Sequence, residues 1–142
     1  DETFRIVCFV AEESEKEHQL LLSLAEKLMQ ALDIPYRVVQ LCTGDLSRQS
    51  AKTYDIEAWL PGAGEYRETH SVSNTTDFQA RRLGIKYGSE QGTGFVHVLN
   101  GTAFAIGRAI IAIIENHQQK DGSVKIPEAL QKYMHGVKEI RR

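Results

Sequence analysis

The sequence has too few cysteines and too little net charge for several special classes of protein. Its 142 residues include two cysteines, Cys8 and Cys42, which is too few for a disulfide framework or a cysteine metal site. Its 17 basic and 19 acidic residues leave a formal charge of -2, so any contact with nucleic acid would have to be local. We therefore expect a reduced, intracellular domain in which both thiols behave as small core residues.

Long apolar runs are also missing. The longest, at residues 6–11 and 109–114, fall well short of the roughly 20 residues that a membrane span requires, and no charged-then-apolar leader opens the sequence. These observations predict a protein without a membrane segment. The composition, 42% hydrophobic and 25% charged, is typical of a globular soluble protein, and the length fits one domain.

Several motifs of catalysis and cofactor binding are absent as well. The five histidines show neither HExxH nor another paired ligand spacing, which argues against a zinc site. The sequence contains no GxSxG elbow and no P-loop. Gly62 and Gly64 lack the third glycine and the following helix of a dinucleotide fingerprint. The sequence thus lacks the common signatures of GxSxG hydrolases, of proteins with a P-loop and of dinucleotide-binding enzymes.

The first half of the chain predicts strands around one long helix. Residues 6–10 (IVCFV) form a wholly apolar run typical of a buried strand. Ser14 and Glu17 then form a capping box, and apolar side chains recur at helical spacing as far as Leu32. Proline after residue 34 ends this helix. Further strands are predicted in the segment 36–60.

The second half predicts antiparallel pairing. Turn residues at 61–64 (PGAG) should return the chain as a strand over 65–73, on which Glu68 and His70 share a face. A glycine-rich segment after residue 87 is typical of a longer hairpin. The predicted fold class is therefore α+β, an antiparallel sheet with flanking helices.

Two more helices are predicted in this half. Thr76 and Gln79 form a second capping box, which opens a short helix that Gly84 closes. Isoleucines at helical spacing predict a helix from about residue 102 to 118.

Three segments carry residues suited to chemistry. Residues 67–76 (RETHSVSNTT) place an acid and hydroxyls on a strand, where they could coordinate magnesium; the alternative is an exposed polar edge strand. The arginine pair in 77–82 (DFQARR) could grip phosphate, or could form an ordinary salt-bridged helix surface. Arg108, in 99–108 (LNGTAFAIGR), has small neighbours that would admit a flat ligand, although a glycine beside a helix cap needs no ligand to explain it.

These segments resemble the seryl-tRNA synthetases. The resemblance rests on TGD at 43–45, YDIEAWLP at 54–61, YRETHSVSN at 66–74 and DFQARR at 77–82, in that order. Residues 99–108 look like the motif 3 of that family, and ENHQ at 115–118, DG at 121–122 and IP at 126–127 continue the likeness. The resemblance covers nearly the whole chain.

The resemblance implies part of a class II aminoacyl-tRNA synthetase catalytic fold that uses ATP and Mg²⁺. Serine would be activated to seryl-adenylate and passed to tRNA. Glu68 and Ser71 look like the ligands of magnesium and ATP, and Arg108 like the motif 3 arginine that neutralises the ATP phosphates. Asn100 and Thr102 look like the residues that face the serine side chain, because an amide and a hydroxyl can pair with its hydroxyl. Glu68 and Ser71 are three residues apart, so a bulge or the strand end should lie between them.

Some parts of the family pattern have no counterpart in the 142 residues. The missing parts are the helical arm for tRNA, motif 1 of the dimer interface, the Thr-x-Glu serine-binding loop and the motif 2 arginines. Aligned on the EES at 12–14, the motif 2 glutamate falls on Phe4; Glu2 takes its place only if the register slips by two. Residues 1–142 are therefore expected to be the C-terminal portion of one catalytic domain, inactive or very weak alone.

Two other interpretations are possible. The chain could belong to a synthetase-like pseudoenzyme that acts as a binding or scaffolding partner, or to a generic α+β binding domain whose likeness is accidental. For the leading interpretation, the resemblance implies serine, ATP and tRNA as partners, a homodimeric full-length protein, and the cytoplasm or an organellar matrix as its location.

Overall fold

The computed structural model describes residues 3–11, 13–90 and 92–141. The elements in these ranges are β1 (Thr3–Val10), α1 (Ser14–Ala31), β2 (Tyr36–Gln40), β3 (Lys52–Leu60), β4 (Glu65–Asn74), α2 (Phe78–Leu83), β5 (Lys86–Ser89), β6 (Gly92–Phe95), β7 (His97–Ala105), α3 (Ile106–His117), β8 (Val124–Lys125), α4 (Glu128–Gln131), a 3-10 helix (Lys132–Met134) and β9 (Glu139–Ile140). None of the helices in these ranges is long and apolar enough to cross a membrane.

A five-stranded sheet forms the centre of the fold, in the order β1-β7-β4-β3-β2. All four of its strand pairs are antiparallel. The hairpins β5–β6 and β8–β9 form separate two-stranded ladders. The predicted α+β class, with an antiparallel sheet and flanking helices, is confirmed.

Helix α1 covers one side of the sheet, which we call the α1 face. Its buried side chains pack with apolar residues of β3, β4 and β7 and with Ala112 of α3; the set is Leu21, Leu22, Ala25, Met29, Ile56, Ala58, Val72, Leu99 and Ala112. The predicted apolar stripe of α1 is confirmed, except that Leu24 is 42% exposed. On the opposite side, Ala80 of α2 packs with Val96 and Val98 and covers one end of the sheet.

The apolar strand β1 is not buried, which corrects the prediction for residues 6–10. Val7 and Phe9 are 54% and 55% exposed. Within the described sheet β1 is an edge strand that pairs with β7. An apolar run indicates a strand that can be buried, but only the neighbouring elements decide whether it is.

The first capping box does not form. Glu13 occupies the cap position of α1 with a φ of 56°, and no side-chain hydrogen bond caps the helix. The Ser14 hydroxyl lies 3.2 Å from Asn74 Nδ2 and 2.7 Å from His97 Nδ1. Tertiary partners on β4 and β7 have thus replaced the local cap that the sequence predicts.

The second capping box does not form either. Asp77, not Thr76, occupies the cap position of α2, and no side-chain hydrogen bond caps this helix. Gly84 ends α2 with a φ of 70°, a left-handed conformation that glycine adopts without strain. The predicted end of the helix is therefore confirmed.

Helix α3 begins later than predicted. Strand β7 continues to Ala105, so the helix starts at Ile106 rather than near residue 102. Asn100 and Thr102 consequently belong to a strand, and being two residues apart they lie on one side of it.

The two cysteines have different surroundings. Cys8 is half-buried and packs against the α1 core, as predicted. Burial raises the pKa of its thiol, and the charge of Glu17 adds to the effect. Cys42 is exposed, which corrects the prediction for this residue, because the segment between β2 and β3 lies at the surface.

Candidate functional site

The candidate site lies where β4 and β7 separate. These strands pair at Val72, Ser73 and Asn74 of β4, whereas earlier residues of β4 pair with β3 alone. A cavity of about 180 Å³ lies in the gap. Four elements, β1, β4, β7 and the first turn of α3, supply its lining residues Thr3, Arg5, Glu68, Thr69, Thr102, Ala105, Ile106, Gly107 and Arg108.

A β-bulge in β4 turns Glu68 and Ser71 to the same side of the sheet. Glu68 lies opposite Glu57 and Ser71 lies opposite Asp55, with a register shift between these pairs. Directly opposed residues share a face, and Glu57 and Asp55 are two apart on β3. The extra residue is Thr69. The predicted bulge is confirmed, and we call this side of the sheet the site face.

The same bulge separates Glu68 from His70, which corrects the prediction that these two share a face. His70 lies opposite Ile56 on the α1 face, is 1% exposed, and its ring centroid is 5.4 Å from that of Phe104. Burial lowers the pKa of His70, with smaller opposing effects from the Ala103 carbonyl and the Glu68 carboxylate. His70 therefore belongs to the core beneath the site.

Arg108 spans the gap between the strands. Its Nη1 donates a hydrogen bond to the Glu68 carbonyl at 2.7 Å and lies 3.3 Å from the Glu68 carboxylate. The two side chains are 56% and 47% exposed. Exposed ion pairs of this kind contribute about 0–1 kcal/mol, so a ligand anion could take the place of the carboxylate.

Ser71 faces a carboxylate that has unused hydrogen-bonding capacity. Burial raises the pKa of Asp55, the Ser71 hydroxyl partly offsets this rise, and the charges of Glu68 and Glu57 add to it. Within the described part of the chain, Asp55 Oδ1 is buried and has no hydrogen-bond partner. A buried oxygen without a donor, beside a hydroxyl, suits a bound cation.

Asn100 and Thr102 lie on the site face of β7. Thr102 is opposite Arg5 of β1 and lines the cavity. Asn100 lies opposite Ser73, within the part of β4 that pairs with β7. The structure thus brings Glu68, Thr102 and Arg108 together around one cavity, with Ser71 and Asn100 further along the same side of the sheet.

Three residues of this region were missed by the sequence analysis. Thr69 and Arg5 line the cavity, and Asp55 lies opposite Ser71. An arginine directly before the apolar run at residues 6–10 was one available signal. The other two depend on strand register, which the local sequence does not specify.

The register of β1 also bears on the motif 2 position. Phe4 lies opposite Phe104, next to a bulge between Phe4 and Arg5, and it is 65% exposed. Thr3 and Arg5, which flank it, line the cavity. Phe4 therefore points away from the site, and Glu2 lies outside the described residues.

The paired arginines of α2 have partners of their own. Arg81 forms an ion pair with Asp77 at 2.6 Å and lies over the ring of Phe95. Arg82 lies over the ring of Phe78. The interpretation of this segment as a salt-bridged helix surface is the one the structure supports.

Comparison with known proteins identifies the family. Residues 3–117 match the tRNA synthetase class II core domain (G, H, P, S and T). The chain belongs to this family. The match covers β1–β7 and α1–α3, which include the four elements that line the cavity, and it confirms the fold expected from the resemblance.

Individual relatives of the chain are serine–tRNA ligases. It is 57% identical over 123 residues to the Synechococcus elongatus enzyme, covering 85% of this chain and 29% of that protein. The Pyrococcus furiosus enzyme is 58% identical over 131 residues, and the match covers 91% of this chain and 29% of that protein. The chain therefore spans less than a third of the length of these relatives.

Solved structures agree. Seryl-tRNA synthetase from Pyrococcus horikoshii, complexed with ATP, has a TM-score of 0.93 and 51% identity, covering 97% of this chain and 31% of that one. The cytoplasmic serine–tRNA ligase of Naegleria fowleri, in complex with AMP, has a TM-score of 0.87 and 42% identity, and the match covers 96% of this chain and 32% of that one. The resemblance to seryl-tRNA synthetases is thus confirmed over nearly the whole chain.

Proposed function

We propose that the chain is the C-terminal part of a seryl-tRNA synthetase catalytic domain, and that within the longer protein it activates serine with ATP for transfer to tRNA. The observation that carries the proposal is the meeting of Glu68, Thr102 and Arg108 around one cavity. A carboxylate, a hydroxyl and a guanidinium suit a metal-bound nucleotide and a small hydroxylated amino acid.

The proposed site continues into a second cavity. Its cavity of about 180 Å³ adjoins one of about 390 Å³, and Glu68, Thr69 and Arg108 line both. Small-molecule pockets usually begin at roughly 300 Å³, so the two cavities together offer room for a ligand. The chain nevertheless spans less than a third of its relatives, which supports the expectation that the piece alone is inactive or very weak.

The proposed reaction has two steps. A carboxylate oxygen of serine attacks the α-phosphorus of ATP, and pyrophosphate leaves with the electrons of the broken bond to give seryl-adenylate. A hydroxyl of the terminal tRNA ribose then attacks the seryl carbonyl carbon, and AMP leaves. Neither step requires a covalent bond to the protein, so catalysis depends on positioning and charge stabilisation.

Arg108 is the proposed catalytic residue. A guanidinium presents five N–H donors in a planar fork that matches phosphate oxygens. Its weak, exposed pairing with the Glu68 carboxylate can give way to the ATP phosphates. The 2.7 Å bond to the Glu68 carbonyl meanwhile holds the guanidinium in the gap, so the phosphates meet a side chain that is already placed.

Glu68 and Ser71 are the proposed magnesium ligands. Their oxygens, together with the buried Asp55 Oδ1, are donors that suit Mg²⁺. Bound magnesium would offset part of the negative charge on the ATP phosphates. The described residues contain no group of three or more His, Cys, Asp or Glu placed to hold a metal. Phosphates and water would therefore complete the coordination, as is usual for this ion.

Asn100 and Thr102 are the proposed contacts of the serine side chain. Both lie on the site face of β7, where an amide and a hydroxyl can pair with the serine hydroxyl. A substrate without that hydroxyl would leave these polar groups unpaired, which is an effective way to reject it.

The remaining partners are proposed for the longer protein. We expect tRNA to bind through regions mostly outside this chain, and the full-length protein to be a homodimer in the cytoplasm or an organellar matrix. The relatives named above are serine–tRNA ligases, so the comparisons give no support to the inactive, scaffolding alternative.

Serine-dependent exchange of pyrophosphate into ATP by the full-length protein tests the proposal. We expect Arg108→Ala to lower kcat/KM about 100- to 1000-fold, the usual effect of removing one preorganised donor. Arg108→Lys, which keeps the charge without the fork, should retain more activity. Arg81→Ala is the control, because Arg81 pairs with Asp77 outside the site. Exchange that does not depend on serine, or that survives Arg108→Ala unchanged, would contradict the proposal.

A further inference from the structure

We propose that Thr69 is a positioning residue whose buried hydroxyl holds the β-bulge that turns Glu68 and Ser71 to the same side of the sheet. This inference rests on the proposed function and deepens it, since Thr69 would act through the two proposed magnesium ligands. Although Thr69 borders the cavity, its side chain is directed into the core and its residue is only 3% exposed.

The hydroxyl of Thr69 satisfies the neighbouring strand at the point where pairing shifts. It donates to the Ile56 carbonyl at 3.1 Å, and the register shift in β3 falls between Ile56 and Glu57. A buried backbone carbonyl needs a hydrogen-bond partner. The threonine side chain supplies one beside the interruption of the ladder.

The ring of His70 holds the same hydroxyl from the other side. His70 Nδ1 lies 2.9 Å from Thr69 Oγ1. A hydroxyl has a single proton, and here it is given to the Ile56 carbonyl, so the oxygen accepts from the His70 Nδ1–H. Loss of the bulge would leave both the Ile56 carbonyl and the His70 N–H to find new partners in a buried setting, which is unfavourable.

The bulge controls more than one proposed ligand. Without its extra residue, the alternation of side chains along β4 would move Glu68 to the opposite side from Ser71. The Glu68 carbonyl would move as well, and this carbonyl is the acceptor that holds Arg108 at 2.7 Å. The spacing between the carboxylate, the Ser71 hydroxyl and the guanidinium therefore depends on Thr69.

The test compares Thr69→Val with Thr69→Ser in the full-length protein. Valine keeps the shape and removes the hydroxyl, whereas serine keeps the hydroxyl. The dissociation constant of ATP is measured by calorimetry with Mg²⁺ and again with a chelator. We expect Thr69→Val to reduce the magnesium-dependent gain in ATP affinity about tenfold, and to cause a smaller loss of affinity without metal through the displaced Arg108. Thr69→Ser should behave like the wild type.

The outcomes separate the two proposals. The proposed function is overturned if the wild type lacks either magnesium-enhanced ATP binding or serine-dependent exchange of pyrophosphate. If the wild type has both, the inference on Thr69 is overturned by equal losses with and without magnesium, by no loss in Thr69→Val, or by an equal loss in Thr69→Ser.

A second pair of variants covers the case in which Thr69→Val does not fold. His70→Asn keeps an N–H near the position of Nδ1, and His70→Leu removes it. We expect a larger magnesium-dependent gain in ATP affinity for His70→Asn than for His70→Leu, and equal gains would overturn the role of Thr69.

Discussion

The two sides of the sheet have opposite characters. On the α1 face most side chains are apolar and buried, and the Nε2 of the buried His18 lies 2.9 Å from the Val72 carbonyl. On the site face, Glu68 and Arg108 are about half exposed and pair weakly. The difference indicates that one side supplies most of the stability, while the other holds its charges available for a ligand.

This division has a physical basis. Burial of apolar surface stabilises a fold without specifying any partner, whereas a charge that is buried and fully paired cannot exchange its partner cheaply. Exposed charges on a rigid sheet can exchange partners. Substitutions on the two sides should therefore separate stability from activity.

The largest expected effect is on stability, from Leu99→Ala on the α1 face. Leu99 is fully buried, and truncation of a buried leucine to alanine costs about 2–5 kcal/mol of unfolding free energy. Urea denaturation of the full-length variant measures this loss. Leu24→Ala is the matched control, because Leu24 lies on α1 and is 42% exposed. An equal loss in the two variants would show that the α1 face does not carry the stability in this way.

The next effect concerns activity, from Glu68→Gln on the site face. We expect pyrophosphate exchange to fall about 100-fold, because a neutral amide is a poor magnesium ligand. The unfolding free energy should change by less than about 0.5 kcal/mol, as is usual for exposed positions. Glu65→Gln on the same strand is the control, since Glu65 pairs with Arg67 outside the cavity. A large stability loss in Glu68→Gln would contradict the division in which the α1 face supplies stability and the site face supplies activity.

Much of the fold was predictable because it depends on local patterns. The turn at 61–64 and the alternation around it predict the β3–β4 hairpin that the structure contains, and the helical spacing of apolar residues predicts α1. Other predictions were wrong. They concern the burial of β1, the caps of α1 and α2, and the start of α3. These features depend on what packs against a segment, as the contacts of Ser14 with Asn74 and His97 show.

The candidate site was predictable only in part. Glu68, Thr102 and Arg108 came from the resemblance, and the structure places them around one cavity. Thr69 was not singled out, although it lies between two residues that were. Its importance comes from the register shift against β3, and register is a property of two strands that neither sequence segment states alone.

The smallest expected effect is a pH dependence that links the two sides. Burial holds the pKa of His70 below its usual 6.5 in the folded state, whereas the unfolded chain has the ordinary value. Between these two pKa values the unfolded state binds a proton that the folded state does not. Stability is therefore full above about pH 6.5 and falls as the pH drops toward the folded pKa.

The variant His70→Asn isolates this contribution, because asparagine does not titrate in this range and keeps an N–H for Thr69. Urea denaturation of the wild type and the variant, at several pH values from 7.5 to about 5 in metal-free buffer, gives the two slopes. We expect the wild type to lose stability more steeply below pH 6.5. Parallel slopes would mean that the imidazole titrates in the fold as it does when unfolded, and a wild-type stability that rises below pH 6.5 relative to the variant would mean that the imidazole is charged in the fold. Either result would show that His70 is not a buried, neutral group beneath the bulge. It would then not connect the apolar side of the sheet with the charged side.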